Sequence, residues 1–436
     1  MEVAKPNAVQ LRAEIYRRMT EKEKQKQKKQ QSHAHHYVPR WYQKRFLPQG
    51  QTNFYLMDLH PERIEWSGGS HQLKALRRRG PDVCFYEDDL YTVKLGSWTT
   101  DQIERSFFGM VDSRGRAAVA HFAEFDGIKE PTTWTAGGDL PPYMDAQKFR
   151  TPRGLDLIKQ RRGSRDDNLT LLEMQGKFEF TTMWMEGVWE IVRARKTQTK
   201  FIVSDDPVTF YCKSVFPSEW KYPNEISLKQ IGTRTLFPLG LDSCLIITHV
   251  QFVRNPWSTP TEFRINARSY QQTLKHLGHI QFGRELEEDE VLRINYILKK
   301  RAVRYIASAE EEWLYPERHV STDEWAKLDD DWFLFPHLWR VPFSGGISVG
   351  YRDGSAAAWD EYGRRPWQRG YQDESQRDRE FETCEKAKCE WAKRRIGKSR
   401  ARTDERIGRD VEDKMVDDYL RAEGLLQPTT TTPAQQ

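Results

Sequence analysis

The uneven spread of apolar residues limits where this chain can build a core. Glu21 to Gln30 reads EKEKQKQKKQ, with five lysines and no apolar side chain. A helix there would have nothing to bury. Asp373 to Gly424 is also highly charged, and Gln427 to Gln436 is rich in Thr, Pro and Gln. Residues 1–32 are therefore expected to form an exposed basic, Gln-rich arm, and 427–436 a disordered tail. The core must come from about 33–315. That leaves 316–426 as an extension, read as a short hairpin plus charged helices.

A chain of 436 residues allows two to four domains. Hydrophobic residues make up 37% and charged residues 31%, which excludes a wholly disordered chain and a collagen-like repeat. No run of 18 apolar residues predicts a transmembrane helix. The five cysteines, at 84, 212, 244, 384 and 389, are odd in number and far apart, which argues against a disulfide framework. The expectation is an intracellular, cytoplasmic protein with no membrane partner. The net charge of +5 equals the excess of residues 1–32 alone, nine Lys/Arg over four Asp/Glu. Any basic surface on the core must therefore be local.

Periodicity predicts an α+β core, with helices packed on a small, mainly antiparallel sheet. Phe54 to Leu59 reads as a strand. Thr99 and Gln102 match a capping box opening a helix to about Phe125. Residues 127–142, rich in Pro, Gly and Thr, read as a loop. Helical character returns at Tyr143–Arg150 and at Leu169–Met185. Trp189–Arg195 and Lys200–Ser204 read as a hairpin, and Leu245–Val250 as a buried strand. Glu287–Ser308 reads as one long helix. Phe343–Trp359 reads as a hairpin around Asp353-Gly354.

The run His36-Tyr37-Val38-Pro39, followed by Arg40-Trp41-Tyr42-Gln43-Lys44-Arg45-Phe46, resembles the opening of the domain-of-unknown-function family numbered 4238. Phe149-Arg150-Thr151-Pro152 is similar to its Arg-Thr-Pro motif. Ser204-Asp205-Asp206-Pro207 is similar to its Ser-Asp-Asn-Pro motif, with Asp206 where Asn is common. Asn295 to Ser308 resembles its closing helix. The resemblance covers about residues 35–310 and implies no activity, because the family has none established.

Five residues are candidates for chemistry. His36 stands before a Tyr-Val-Pro turn, where it could move a proton or bind a metal, or could simply fix the corner. Arg150 could clamp a phosphate, or pair with Asp205 or Asp206. Those aspartates end an apolar strand, where a carboxylate could hold a divalent cation or cap a turn. Asn295 interrupts an apolar stripe and needs partners if buried. His33 and His35 are weaker candidates. Arg77, Arg78, Arg79, Arg161, Arg162, Lys299, Lys300 and Arg301 could touch nucleic-acid phosphates. Seven tryptophans between Trp313 and Trp391 could serve core or partner, so a protein partner for the C-terminal region is also open.

No Walker loop, dinucleotide fingerprint, zincin or serine-hydrolase motif occurs. Two readings remain. One is a hydrolase acting on a phosphorylated substrate, a nuclease among the options, using His36, Arg150, Asp205 and Asp206 with Asn295 in support. The other is a non-catalytic nucleic-acid-binding or protein-interaction module in which these residues are structural.

Overall fold

The computed structural model describes residues 33–396, except 96–97, 164, 176–177, 268–272 and 321–323. The expectations for residues 1–32, for helices beyond 396 and for the 427–436 tail fall outside these residues.

The fold is α+β. The N-terminal part holds β1 (Ala34–His36), the one-turn helix α1 (Arg40–Gln43), β2 (Phe54–Asp58), β3 (Arg63–Trp66), β4 (Gly69–Gln72), β5 (Leu76–Arg79), β6 (Tyr86–Asp88), β7 (Val93–Leu95) and β8 (Trp98–Thr100). A helical block follows: α2 (Gly109–Ala123), α3 (Thr132–Phe149), α4 (Pro152–Arg162), α5 (Asp167–Gln175) and α6 (Thr181–Met185). The next part alternates β9 (Val188–Arg193), β10 (Val203–Ser204), β11 (Thr209–Tyr211), β12 (Arg234–Gly240), β13 (Ser243–Thr248), α7 (Val250–Arg254), β14 (Ile280–Glu285), α8 (Glu288–Arg301) and β15 (Tyr305–Ser308). The hairpin β16 (Gly346–Gly350) and β17 (Ala356–Asp360) and helix α9 (Glu374–Ile396) close the chain.

Two sheets organise the core. One has the order β10-β15-β2-β5 and is antiparallel throughout. The other has the order β11-β12-β13-β9-β14, antiparallel except for the β9–β14 pair. Strand β9 is buried on both faces, and its side chains alternate between two environments. Trp189 meets Phe122 of α2 edge to face, while Val188 joins a second cluster with Phe335, Leu338 and Val341. Residues beyond 315 thus cover one face of this sheet. Trp325, Leu328, Phe333 and Leu334 even belong to the main core.

Helix α3 is the central helix, with every residue from Tyr143 to Phe149 buried. It lies close to α2 because Gly115 has no side chain. A Cβ there would stand 2.2 Å from the Tyr143 ring.

Several local expectations are corrected. The segment 127–142 is largely helix, with Pro141 and Pro142 inside α3. Its loop-like composition is overridden by burial, which outweighs a cost of roughly 3 kcal/mol per interior proline. The helix expected from Thr99 starts later, through a π-helical turn at Ile103–Phe108, and Thr100 rather than Thr99 accepts the Gln102 amide. The stretch Leu169–Met185 is two helices, not one. Trp189–Arg195 and Lys200–Ser204 do not pair with each other, because β9 pairs with β13 and β14 while β10 pairs with β15. The long helix ends at Arg301. The Asp205 carboxylate then accepts the amides of Val303, Arg304 and Tyr305 at 2.6–2.8 Å, turning the chain into β15.

Candidate anion-binding site

The His-Tyr-Val-Pro corner is held by its backbone. The carbonyls of His36, Tyr37 and Val38 each accept from a buried side chain: Arg150 at 3.0 Å, Gln147 at 2.8 Å and Gln43 at 2.8 Å. Meeting three consecutive carbonyls in this way satisfies groups that burial would otherwise leave costly. The half-buried His36 imidazole turns away and donates to the Asp82 carbonyl at 3.2 Å. Burial, followed by Arg40, lowers its pKa from the usual value. His35 is buried, its Nδ1 accepting the Tyr91 amide at 2.9 Å, and His33 pairs with Asp89 at 2.9 Å.

Arg150 is fully buried and pairs with Asp112 at 2.6 Å, lying over the Phe108 ring. Its partner is thus neither Asp205 nor Asp206. Asn295 bridges backbone, accepting the Ile202 amide at 3.2 Å and donating to the Lys200 carbonyl at 2.8 Å. Asp205 caps the turn before β15, as described above. Burial pushes its carboxyl up to about 6, against the three amides that hold it down.

The residues that do converge stand beside these. Thr151 caps α4 by accepting the Gly154 amide at 3.1 Å. The chain bends sharply there, and a Cβ on Gly154 would stand 2.3 Å from the Lys148 carbonyl. The bend brings Lys148, at the end of α3, and Arg153, at the start of α4, to one place. Lys148 binds Asp206 at 2.8 Å, Glu225 at 2.5 Å and the Val208 carbonyl at 2.9 Å. Arg153 reaches Asp206 at 3.4 Å and the carbonyls of Arg301 and Asn224 at 3.3 and 2.8 Å. Arg301, the last residue of α8, pairs with Glu225 through Nη2. Both guanidiniums lie against the Trp220 indole, 3.8 Å (Arg153) and 3.7 Å (Arg301) from the ring centroid.

Three buried cations therefore face two buried carboxylates, Asp206 and Glu225. The Nε and Nη1 of Arg301, and the Oε2 of Glu225, have no hydrogen-bond partner among the described residues. Burial pushes Arg301 down to about 10, more than Glu225 restores. Burial would raise Glu225, but Arg301, Lys148 and Arg153 hold it well below the usual carboxylate range. Trp220 and Glu225 also line a cleft of about 330 Å³, together with Val215, Asn224 and Ile226. A second cleft, of about 670 Å³, lies across the same loop, between Tyr222-Pro223 and Asp156, Lys159 and Arg165.

Lys148, Arg153, Trp220 and Glu225 were not singled out by sequence. Lys148 and Arg153 flank the Arg-Thr-Pro motif, so their nearness to it was the available signal. Arg301, expected as a surface contact for nucleic acid, is buried, because it closes an amphipathic helix against Glu225. Its neighbour Lys299 is tied to Glu317 at 2.8 Å, and Lys300 is exposed. Arg161 and Arg162 pair with Glu179 and Glu173. Arg78 and Arg79 are exposed on the edge strand β5. Among the described residues, no group of three or more His, Cys, Asp or Glu is arranged to hold a metal ion. No described helix is long and apolar enough to cross a membrane. All five cysteines are free thiols, four of them buried.

Comparison with described protein families, curated proteins and solved structures finds no match.

Proposed function

We propose that the protein binds a phosphate-bearing ligand at Lys148, Arg153 and Arg301, as a non-catalytic module. The observation that carries this reading is the surplus of buried positive charge, with two donors of Arg301 left unused beside a cleft. An isolated buried charge is costly unless something pairs with it. A phosphate supplies more acceptor oxygens and more charge than the carboxylates already present. Hydrolysis is less well supported. His36 and Arg150 are committed to Asp82 and Asp112, and Asp205 to backbone amides.

We also propose membership of the domain-of-unknown-function family numbered 4238. Its support is that the segments carrying the resemblance, distant in sequence, adjoin: Arg150 donates to the His36 carbonyl, Arg153, next to the Arg-Thr-Pro motif, reaches Asp206, and Asp205 accepts the amides of Val303, Arg304 and Tyr305.

The test is calorimetric titration of the full chain with inorganic phosphate and phenyl phosphate. The expected result is saturable binding that weakens as salt rises and drops at least about tenfold in Arg301→Met. Binding unchanged in that variant would overturn the assignment. A parallel assay of phosphatase and nuclease turnover with Mg²⁺ and Mn²⁺ is expected to find none. Turnover abolished by His36→Ala and by Asp205→Ala would restore the hydrolase.

A further inference from the structure

The charged cluster draws its parts from two kinds of structure. Lys148, Arg153, Arg301 and Asp206 stand at the ends of regular elements packed in the core. Glu225 comes instead from the stretch between β11 and β12, whose only regular turn is Pro217–Glu219. That stretch is tied down by side chains. Tyr222 donates to Asp156 at 2.8 Å, Arg153 holds the Asn224 carbonyl, and Trp220 lies on the two guanidiniums. Tyr222 is 47% exposed. The loop thus inserts one anionic group into a cationic hollow that the core elements form without it.

A carboxylate fills that hollow incompletely. The Lys148 ammonium donates to both oxygens of Asp206 and to the Val208 carbonyl, and lies 2.5 Å from Glu225, whose Oε2 accepts no hydrogen bond among the described residues. Arg301 spends only Nη2 on Glu225, while Nε and Nη1 stay unpaired. With Glu225 removed, three cations would face Asp206 alone. A tetrahedral dianion has the charge for that balance, and oxygens for the donors Glu225 leaves over.

We infer that Glu225 is a tethered stand-in for the ligand's phosphate, and that a phosphate monoester enters by displacing Glu225 and the loop around Trp220 and Tyr222. This rests on the anion-binding reading above and adds its regulation. The ligand competes with an internal carboxylate, so its apparent affinity scales with the fraction of molecules whose loop is open. The clefts on either side of the loop are where the displaced segment and the organic part of the ester find room.

The test compares wild type, Glu225→Gln, Tyr222→Phe and Arg301→Met as full chains, titrated with inorganic phosphate and phenyl phosphate. Hydrogen exchange of peptides spanning 213–230 is followed with and without phosphate. Glu225→Gln is expected to bind at least about tenfold more tightly than wild type, because the internal competitor is gone. Tyr222→Phe cuts only the exposed latch, so a gain of about two- to fivefold is expected from one lost hydrogen bond. Phosphate should speed exchange in the loop of the wild type. Equal affinity in wild type and Glu225→Gln, with binding still lost in Arg301→Met, would sink the stand-in and leave the site standing. No binding in any of the four chains would sink the site itself. If Glu225→Gln fails to fold, the latch variant and the exchange data decide: no gain in Tyr222→Phe and unchanged exchange on phosphate addition would overturn the inference.

Discussion

Among the buried arginine–glutamate networks of the described residues, the one around Arg254 and the one around Arg301 are not alike. The first joins the C-terminal residues to the core. Arg254, at the end of α7, donates to the Pro342 carbonyl, Glu361, Glu380 and the Tyr362 hydroxyl at 2.5–3.1 Å. Arg377 holds Glu361 from α9 at 2.8 Å. Two arginines meet two glutamates. Burial would lower Arg254, but Tyr362, Glu380 and Glu361 more than offset it, and the net shift is upward. The second network, around Arg301, has three cations for two carboxylates, and there the net shift is downward. One cation is over-compensated and the other under-compensated. Unused donors alone do not mark a binding site, since Arg234 also has two of them while paired to Asp329. The surplus charge next to a cleft is what separates the Arg301 network from a structural ion pair.

Removing each arginine would break this contrast most severely. Arg254→Met leaves Glu380 with no cation and Glu361 with Arg377 only. Stripping one partner from a buried pair costs about 3–5 kcal/mol, so urea denaturation should show a loss of that order. Arg301→Met leaves two cations with two carboxylates, and removes one contact with Trp220. It should cost only about 1–2 kcal/mol, mostly that packing. Equal losses would mean that the Arg301 surplus is not a surplus, and that an unseen anion already balances it.

A smaller effect comes from pH. His337, whose backbone amide donates to Gln281, is held near 3 by burial and then by Arg284 and Arg340. His249 is held near 3 by burial and then by Arg264. A histidine with a lowered folded pKa contributes nothing unfavourable above its unfolded value of about 6.5. As pH falls below that, the unfolded chain gains protons the folded one refuses, so stability drops until about pH 3. Between pH 6.5 and pH 5 each such histidine should cost about 2 kcal/mol. Glu190, raised to about 7, and Asp205, raised to about 6, both by burial, work in the opposite sense. Their contribution is present at low pH and lost as pH rises through those values. A His337→Leu variant isolates the histidine: its pH 7 to pH 5 stability difference should shrink by about 2 kcal/mol against wild type. No change in that difference would show that the imidazole gains a proton without penalty.

Much of the frame was legible in the sequence. Strands Phe54–Asp58 and Ser243–Thr248 and the hairpin at 346–360 follow from period and turn residues. Helix α9 was legible as charged, but its inward line was not. That line runs Arg377, Glu380, Cys384, Ala387, spaced three, four and three, and half of it is ionic. A pattern search for apolar stripes passes over such a face. The site was half legible. The motifs named the right segments and Asp206 joins the cluster, yet His36, Asp205 and Asn295 turned to backbone carbonyls and amides, and Arg150 to Asp112. Lys148 and Arg153 meet only because the chain bends at Thr151, and Glu225 arrives from a loop without period. Contacts of that kind depend on tertiary packing that spacing does not encode.

The smallest expected effect uses cations of a third kind. Lys300 follows Lys299 on the exposed side of α8 and lies 5.3 Å from the Tyr296 ring centroid. Arg78 lies 4.5 Å from that of Tyr55 on an edge strand. Both sit in water, where salt screens a charge over about 8 Å at physiological ionic strength. Lys300→Ala and Arg78→Ala should each change stability by less than about 0.5 kcal/mol. Neither should alter phosphate affinity measurably in moderate salt, although Lys300 is the sequence neighbour of Arg301. If Lys300→Ala weakened phosphate binding as much as Arg301→Met, the ligand would be held by the general field of a basic surface. Burial and unused donors would then have nothing to do with recognition, and the difference between the two networks would lose its functional meaning.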